Sequence, residues 1–150
     1  IGWAMLGFGL LLWWADRTAD RPKPAAEWSL RQAIILGLWQ ALALIPGTSR
    51  SGITITGARL MGYQRRDAAR LSMLMSVPVI LAASGLSSLD VIGTVETAAL
   101  GDAAIAAGFA AVSAFIALGL MMRLLKSISF TPYVIYRVIL GAGLILWAYL

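Results

Sequence analysis

Residues 29–62 read SLRQAIILGLWQALALIPGTSRSGITITGARLMG. The segment is apolar over 29–45, stops at Pro46-Gly47, and resumes as a second helical piece from Ser51 to Gly62. Ser29 is placed to cap the first piece with its hydroxyl, whereas proline cannot continue a helix and glycine adapts to almost any turn. At roughly 14 residues and about 1.5 Å per residue each piece reaches about 21 Å, short of a hydrocarbon core of about 30 Å. Two short helices joined by a Gly/Ser break predict a re-entrant hairpin over 29–62.

Composition puts that hairpin in a membrane. Of 150 residues, 60% are hydrophobic and 13% charged, against roughly 45–50% and about 25% in a soluble domain, and the mean hydropathy is +0.83. The net charge of +5 sits in short gaps between apolar runs, a placement of membrane topology rather than of nucleic-acid binding. The chain has no cysteine and no histidine, which excludes disulfides, thiolate or histidine metal sites and every Ser-His or Cys-His nucleophile within it.

Outward from the hairpin, residues 1–15 read as the remainder of a transmembrane helix in a longer protein. Asp16-Arg17-Thr18-Ala19-Asp20-Arg21-Pro22-Lys23-Pro24 reads as a surface loop. Spans are expected over 68–86, which contains Pro78, over the alanine-rich 103–122, and over 133–150, where Trp147 and Tyr149 suit the interface. The stretch 87–102, with Asp90, Glu96 and Asp102 and no Lys or Arg, is expected as a loop. Placing Arg17, Arg21, Lys23 and Arg31 on the cytoplasmic side also places Arg65, Arg66, Arg123 and Lys126 there, as the positive-inside rule requires. Charge supports this parity, and length alone supports the re-entrant reading. The fold class is all-α, a polytopic helix bundle with a re-entrant helical hairpin, whose tip at 46–52 lies past the midplane and opens toward the outer face.

The tip is Pro46-Gly47-Thr48-Ser49-Arg50-Ser51-Gly52. An arginine at membrane depth costs about 2.5–3.5 kcal/mol on insertion scales and needs a cavity or a partner. Three hydroxyls flank Arg50, two glycines admit a ligand to the backbone, and a helix starting near Ser51 points its orphan amides and positive dipole end at the same place. That set suits phosphate oxygens, which accept bidentate bonds from a guanidinium. The competing reading is a turn whose arginine pairs with a carboxylate from another helix. Gly47 and Gly52 have P-loop spacing, but Ile53-Thr54 stands where Lys-[Ser/Thr] is required, and Gly47-Thr48-Ser49-Arg50 lacks the closing glycine of a nucleophile elbow.

The run from Gln40 through Ala41-Leu42-Ala43-Leu44-Ile45 to Gly52, followed by Thr54, Gly57, Gly62 and Ala68-Ala69-Arg70-Leu71-Ser72 up to Pro78, resembles the second signature of the undecaprenyl-diphosphate phosphatase family, the bacitracin-resistance proteins. The whole chain resembles that family's carboxyl-terminal part. The resemblance implies a multi-pass enzyme of the bacterial inner (plasma) membrane that hydrolyses undecaprenyl diphosphate to the monophosphate carrier of peptidoglycan assembly. It also implies two inverted halves, each with a hairpin. Arg50 and Ser49 would then be catalytic, with Gly47, Thr48, Ser51, Gly52, Thr54 and Gln40 binding substrate. A divalent metal, Mg2+ or Ca2+, would be liganded mainly by carboxylates of the amino-terminal half, outside this chain, so the isolated chain is expected to be inactive. The implied partners are undecaprenyl diphosphate, membrane lipids and that amino-terminal half, with a homodimer left open and no nucleic acid.

Other polar residues carry weaker expectations. Gln40 lines the site or makes an interhelical hydrogen bond. Arg59 is expected to snorkel to the cytoplasmic surface. Thr54, within one turn of the tip, is expected to face the cavity, and Thr56 is less well placed. Arg65, Arg66 and Arg70 are read as topology signals and anionic-lipid contacts, and Arg137 as an interface anchor. The alternative functions are a secondary transporter or lipid scramblase using the same hairpin, and a non-catalytic remnant or half that pairs with a separately encoded partner.

Overall fold

The computed structural model describes residues 1–18, 28–91, 97–125 and 127–150, and within them the chain is all-helical. The helices are α1 (Gly2–Thr18), α2 (Leu30–Ala41) with a 3-10 turn at Leu42–Leu44, α3 (Arg50–Leu60), α4 (Arg65–Val91), α5 (Thr97–Leu124) and α6 (Thr131–Tyr149). Among the described residues, three segments are long and apolar enough to cross a membrane: Arg65–Ser87, Gly101–Leu124 and Thr131–Tyr149. Residues 19–27 of the basic loop, Glu96 and Lys126 lie outside the described residues.

Helix α3 is among the least apolar helices by sequence and yet is the centre of the packing. Every residue of it from Gly52 to Arg59 is buried, between α1, α2 and α4. Its threonines tolerate this because their hydroxyls bond back into their own helix, Thr54 Oγ1 donating to Arg50 O at 2.9 Å and Thr56 Oγ1 to Gly52 O at 2.8 Å. Buried hydroxyls satisfied in this way cost little.

Helices α2 and α3 run antiparallel. Ser29 caps α2 in a reciprocal capping box with Gln32, the local device that its sequence position predicts. The same Gln32 accepts a hydrogen bond from the Tyr63 hydroxyl at 2.7 Å, closing the base of the pair. Nearer the tip, Gly57 lies against Trp39, where an added Cβ would come within 2.6 Å of Cγ of the indole. Gly57→Ala is therefore expected to destabilise the full-length protein by about 1–3 kcal/mol, the usual cost of overpacking, seen as a lower thermal midpoint in detergent. An unchanged midpoint would show that α2 and α3 do not interlock there.

The end of α3 is set by Gly62, at φ +87°. Its amide bonds Arg59 O at 2.9 Å while that of Tyr63 reaches Ala58 O at 3.0 Å, the Schellman pattern that glycine permits. Tyr63 and Ala58 are both fully buried at this stop.

Helices α1 and α6 cross antiparallel at small residues. A Cβ on Gly2 would sit 2.8 Å from Gly141 O, and one on Gly141 would sit 3.0 Å from Gly2 O. Such small-residue contacts let membrane helices approach at backbone distance. Helix α4 continues through Pro78 without interruption. By contrast no residue of α5 from 101 to 124 is buried.

Two loop expectations are corrected. The polar stretch opening at Asp16 is not yet a loop, since Asp16, Arg17 and Thr18 form the last turn of α1. The acidic stretch 87–102 is helical at both ends, because α4 runs on to Val91 and α5 begins at Thr97. Charged residues near span ends continue a helix once the backbone bonds of the preceding turns are in place.

Candidate functional site

The tip connects the 3-10 turn to α3 through two left-handed residues, Gly47 at φ +93° and Ser49 at φ +68°. Glycine takes that conformation freely, whereas a serine there is uncommon and flags strain held by its surroundings. Gly47 also has no room for a side chain, since a Cβ would come within 2.6 Å of Ile1 O. Ser49 is the N-cap of α3, its Oγ accepting from Gly52 N at 3.3 Å and its carbonyl from Ile53 N at 3.0 Å. The helix thus starts at Arg50, one residue from Ser51, and presents fewer amides to a ligand than an uncapped terminus would.

The predicted residues divide between two sides of the tip. On one side Arg50 borders a cavity of about 360 Å3 together with Gly37, Gln40, Ala43 and Val79. Arg50 Nη1 and Gln40 Oε1 are both shielded from solvent and have no hydrogen-bond partner among the described residues. Among the described residues Asp16 is the carboxylate in the ion pairs, and neither pair includes Arg50. The reading in which Arg50 is neutralised by a carboxylate of another helix therefore has no support among the described residues. An uncompensated buried donor costs about 1–3 kcal/mol or more when charged, so a donor and an acceptor left open on one cavity mark a place for a polar ligand.

On the other side, Ser49 Oγ lies 3.1 Å from the Tyr133 hydroxyl and 3.4 Å from Ser51 Oγ. Arg137 reaches in from α6, donating from Nη2 to Gly47 O at 2.7 Å and from Nη1 to the Tyr133 hydroxyl at 3.4 Å. A Cβ on Gly52 would sit 3.1 Å from Arg137 Nη1, so this glycine makes room for a guanidinium of the protein itself. Thr48 is fully buried and its hydroxyl has no partner among the described residues.

Thr54 is not on either side. It is fully buried, and besides its bonds to α3 it lies 2.5 Å from Ser72 Oγ of α4, so it ties α3 to α4 instead of facing the cavity.

Three arginines are corrected. Arg137 is 3% exposed and is no interface anchor. The rule that singles out Arg50, a cation inside an apolar span, applies equally to it and was the available signal. Arg59 does not snorkel: it is buried, with Nε 3.0 Å from Asp16 Oδ1, Nη2 donating to Asp16 O at 2.8 Å and Nη1 to Tyr63 O at 2.6 Å. Arg65 is a structural partner as well as a topology signal, its Nε binding Asp16 Oδ1 at 2.8 Å and Oδ2 at 3.1 Å. Phe130 N adds a longer bond to Asp16 Oδ2 at 3.4 Å. Asp16 thereby joins α1, the base of α3, the start of α4 and the entry to α6.

The donors at the tip are hydroxyls, backbone amides, a carboxamide and guanidiniums, and among the described residues no three His, Cys, Asp or Glu cluster. Such a set can bind an anion and offers no carboxylate cluster for a divalent cation, whose ligands the resemblance places mainly outside this chain.

A match to the family model of bacitracin resistance protein BacA covers residues 1–143. The chain is 67% identical over 149 residues to the undecaprenyl-diphosphatase of Ruegeria pomeroyi, covering 99% of this chain and 56% of that protein. It is 62% identical to that of Dinoroseobacter shibae with the same coverage. To undecaprenyl-diphosphatase 2 of Stutzerimonas stutzeri it is 46% identical over 151 residues, covering 97% of this chain and 55% of that protein. The chain spans little more than half the length of these curated relatives. With a family model matched over nearly its whole length and a capped, arginine-bearing hairpin tip between its second and third helices, the chain belongs to the bacitracin resistance protein BacA family.

Proposed function

We propose that the full-length protein is a multi-pass enzyme of the bacterial inner membrane that removes the terminal phosphate of undecaprenyl diphosphate, and that this chain supplies the anion-holding part of its site. The observation that carries the reading is Arg50, whose shielded Nη1, without a partner among the described residues, borders the cavity that Gln40 also lines. The names of the relatives agree with it.

The hairpin reading follows from lengths. Twelve residues of α2 and three of the 3-10 turn span about 24 Å, and the 11 of α3 about 16 Å, both below the thickness of a hydrocarbon core. The hairpin enters from the side of the basic connectors and returns to it, with the tip opening toward the outer face, as one half of an inverted-repeat arrangement.

In the reaction, the oxygen of water, or of a serine outside this chain, attacks the terminal phosphorus as the bond to the bridging oxygen breaks. Negative charge then builds on the transferred group and on the leaving monophosphate. Arg50 and the α3 start neutralise that charge from a fixed position, the form of stabilisation that costs no reorganisation during the step. Gln40 can donate from its Nε2 to an oxygen beside Arg50, the serines line the other side of the tip, and Arg137 holds the tip in shape through Gly47 O. The prenyl tail lies along the apolar helix surfaces. The divalent ion is assigned to carboxylates outside the chain.

The test is phosphate release from undecaprenyl diphosphate by the purified full-length protein in detergent and in vesicles. Stoichiometric release of inorganic phosphate with formation of the monophosphate is expected. Movement of intact diphosphate across the vesicle membrane without release would establish a transporter instead.

A further inference from the structure

The exposed face of α4 carries Arg66, Arg70, Met73 and Val77 on successive turns, at the 3.6-residue period of one helix side. Across from them stand Leu118 and Met122 of α5, and the cleft between the two helices holds about 810 Å3, within the range of small-molecule pockets. One end of the cleft is polar and basic, and the rest is apolar apart from Ser76, whose hydroxyl donates to Met73 O at 2.6 Å. From Arg66 to Val77 the helix rises about 16 Å, which matches the hydrocarbon depth of one leaflet, half of about 30 Å. Both arginines are exposed, and among the described residues neither belongs to an ion pair. Asp67, which also lines the basic end, is engaged in an interaction of its own.

We propose that this cleft binds one anionic phospholipid from the leaflet at the basic end of the bundle, with its phosphate between Arg66 and Arg70 and an acyl chain on Met73, Val77, Leu118 and Met122. The charge favours a lipid of net negative charge, because at this end the two exposed guanidiniums outnumber the one carboxylate, Asp67, and gain most from a headgroup that brings its own charge. The apolar floor favours a lipid over a soluble anion, which would fill the basic end and leave the rest of the cleft without a complement. Arg65 takes no part, since Asp16 occupies it, so the headgroup site is restricted to one face of α4. The proposal is independent of the enzymatic reading and stands or fails without it.

The experiment uses the full-length protein in phosphatidylcholine vesicles doped with a photoactivatable phosphatidylglycerol, and maps the cross-links by mass spectrometry. Labelling of peptides containing residues 66–77 and 118–122 is expected, with competition by unlabelled phosphatidylglycerol and none by phosphatidylcholine or inorganic phosphate. At about 1 kcal/mol per cation near an anionic lipid, Arg66→Gln and Arg70→Gln should each reduce labelling about fivefold and the double variant about 25-fold. Arg66→Lys with Arg70→Lys should retain most of it, and serves as the control for folding. Undiminished labelling of the double glutamine variant, or equal competition by phosphatidylcholine or inorganic phosphate, would overturn the proposal. So would absence of label from both peptides, because another part of the full chain would then cover the cleft.

Discussion

Turnover of undecaprenyl diphosphate by the full-length protein is expected to fall at least about tenfold when Arg50 is replaced by alanine, and Arg50→Lys is expected to recover little of the loss. A charge-assisted hydrogen bond is worth about 1.5–3 kcal/mol, and about 1.4 kcal/mol is a factor of ten in rate. A single bond made in the transition state therefore suffices for the minimum effect, and the two of a guanidinium fork would exceed it. An ammonium cannot reproduce that fork. The thermal midpoint should stay near that of the unsubstituted protein, because Nη1 of Arg50 has no partner in the fold to lose. Steady-state phosphate release and thermal unfolding of the same preparations separate the outcomes. Near-normal turnover removes Arg50 from the reaction, and lost turnover accompanied by a collapsed midpoint makes the residue structural.

The largest effect on stability is expected at Asp16, far from the tip. Its carboxylate is 4% exposed and meets Arg59, 5% exposed, and Arg65, 40% exposed. Removing one member of a buried pair costs about 3–5 kcal/mol because the remaining charge is left uncompensated. In Asp16→Asn that burden falls on Arg59, since solvent screens the half-exposed Arg65. The midpoint of thermal unfolding in detergent, followed by tryptophan fluorescence, should drop steeply. The double variant Asp16→Asn with Arg59→Met should recover part of the loss, because it leaves no uncompensated charge buried at the base of α3. The recovery is partial because Tyr63 O and Asp16 O lose the donors that Arg59 supplies. A double variant no more stable than the single would show that the bonds to those carbonyls, rather than the ion pair, hold the base of α3.

These two residues mark the boundary of what could be read from the chain alone. Arg50 was legible because its neighbours, Pro46, Gly47 and the flanking hydroxyls, advertise a broken helix, and a charge at a break in an apolar segment calls for a ligand. Asp16 was misread as the first residue of a loop because its sequence neighbours are polar, while its partners are 43 and 49 positions away. Arg137 lies 90 positions from the carbonyl it binds, and nothing adjacent to it distinguishes an anchor at the interface from a strut beneath the tip. Thr54 was close to the tip in number and one helix face away from it in space, with Ser72 as its counterpart.

The order of letters by itself determined that the chain is helical and apolar, that residues 29–62 break at Pro46-Gly47, and that Ser29 starts the first half of that pair. Each follows from rules acting within a turn or two: a missing amide at proline, a capping hydroxyl, the length of an apolar run. Only the tertiary structure decided that the modestly apolar α3 is the most enclosed helix, that Asp16 gathers two arginines, and that Arg50 faces a cavity while Arg137 props the other side of the tip. The physical reason is that away from water every buried polar group must find a partner, and which partner it finds depends on how the helices pack across the whole bundle, not on what lies beside it in the chain.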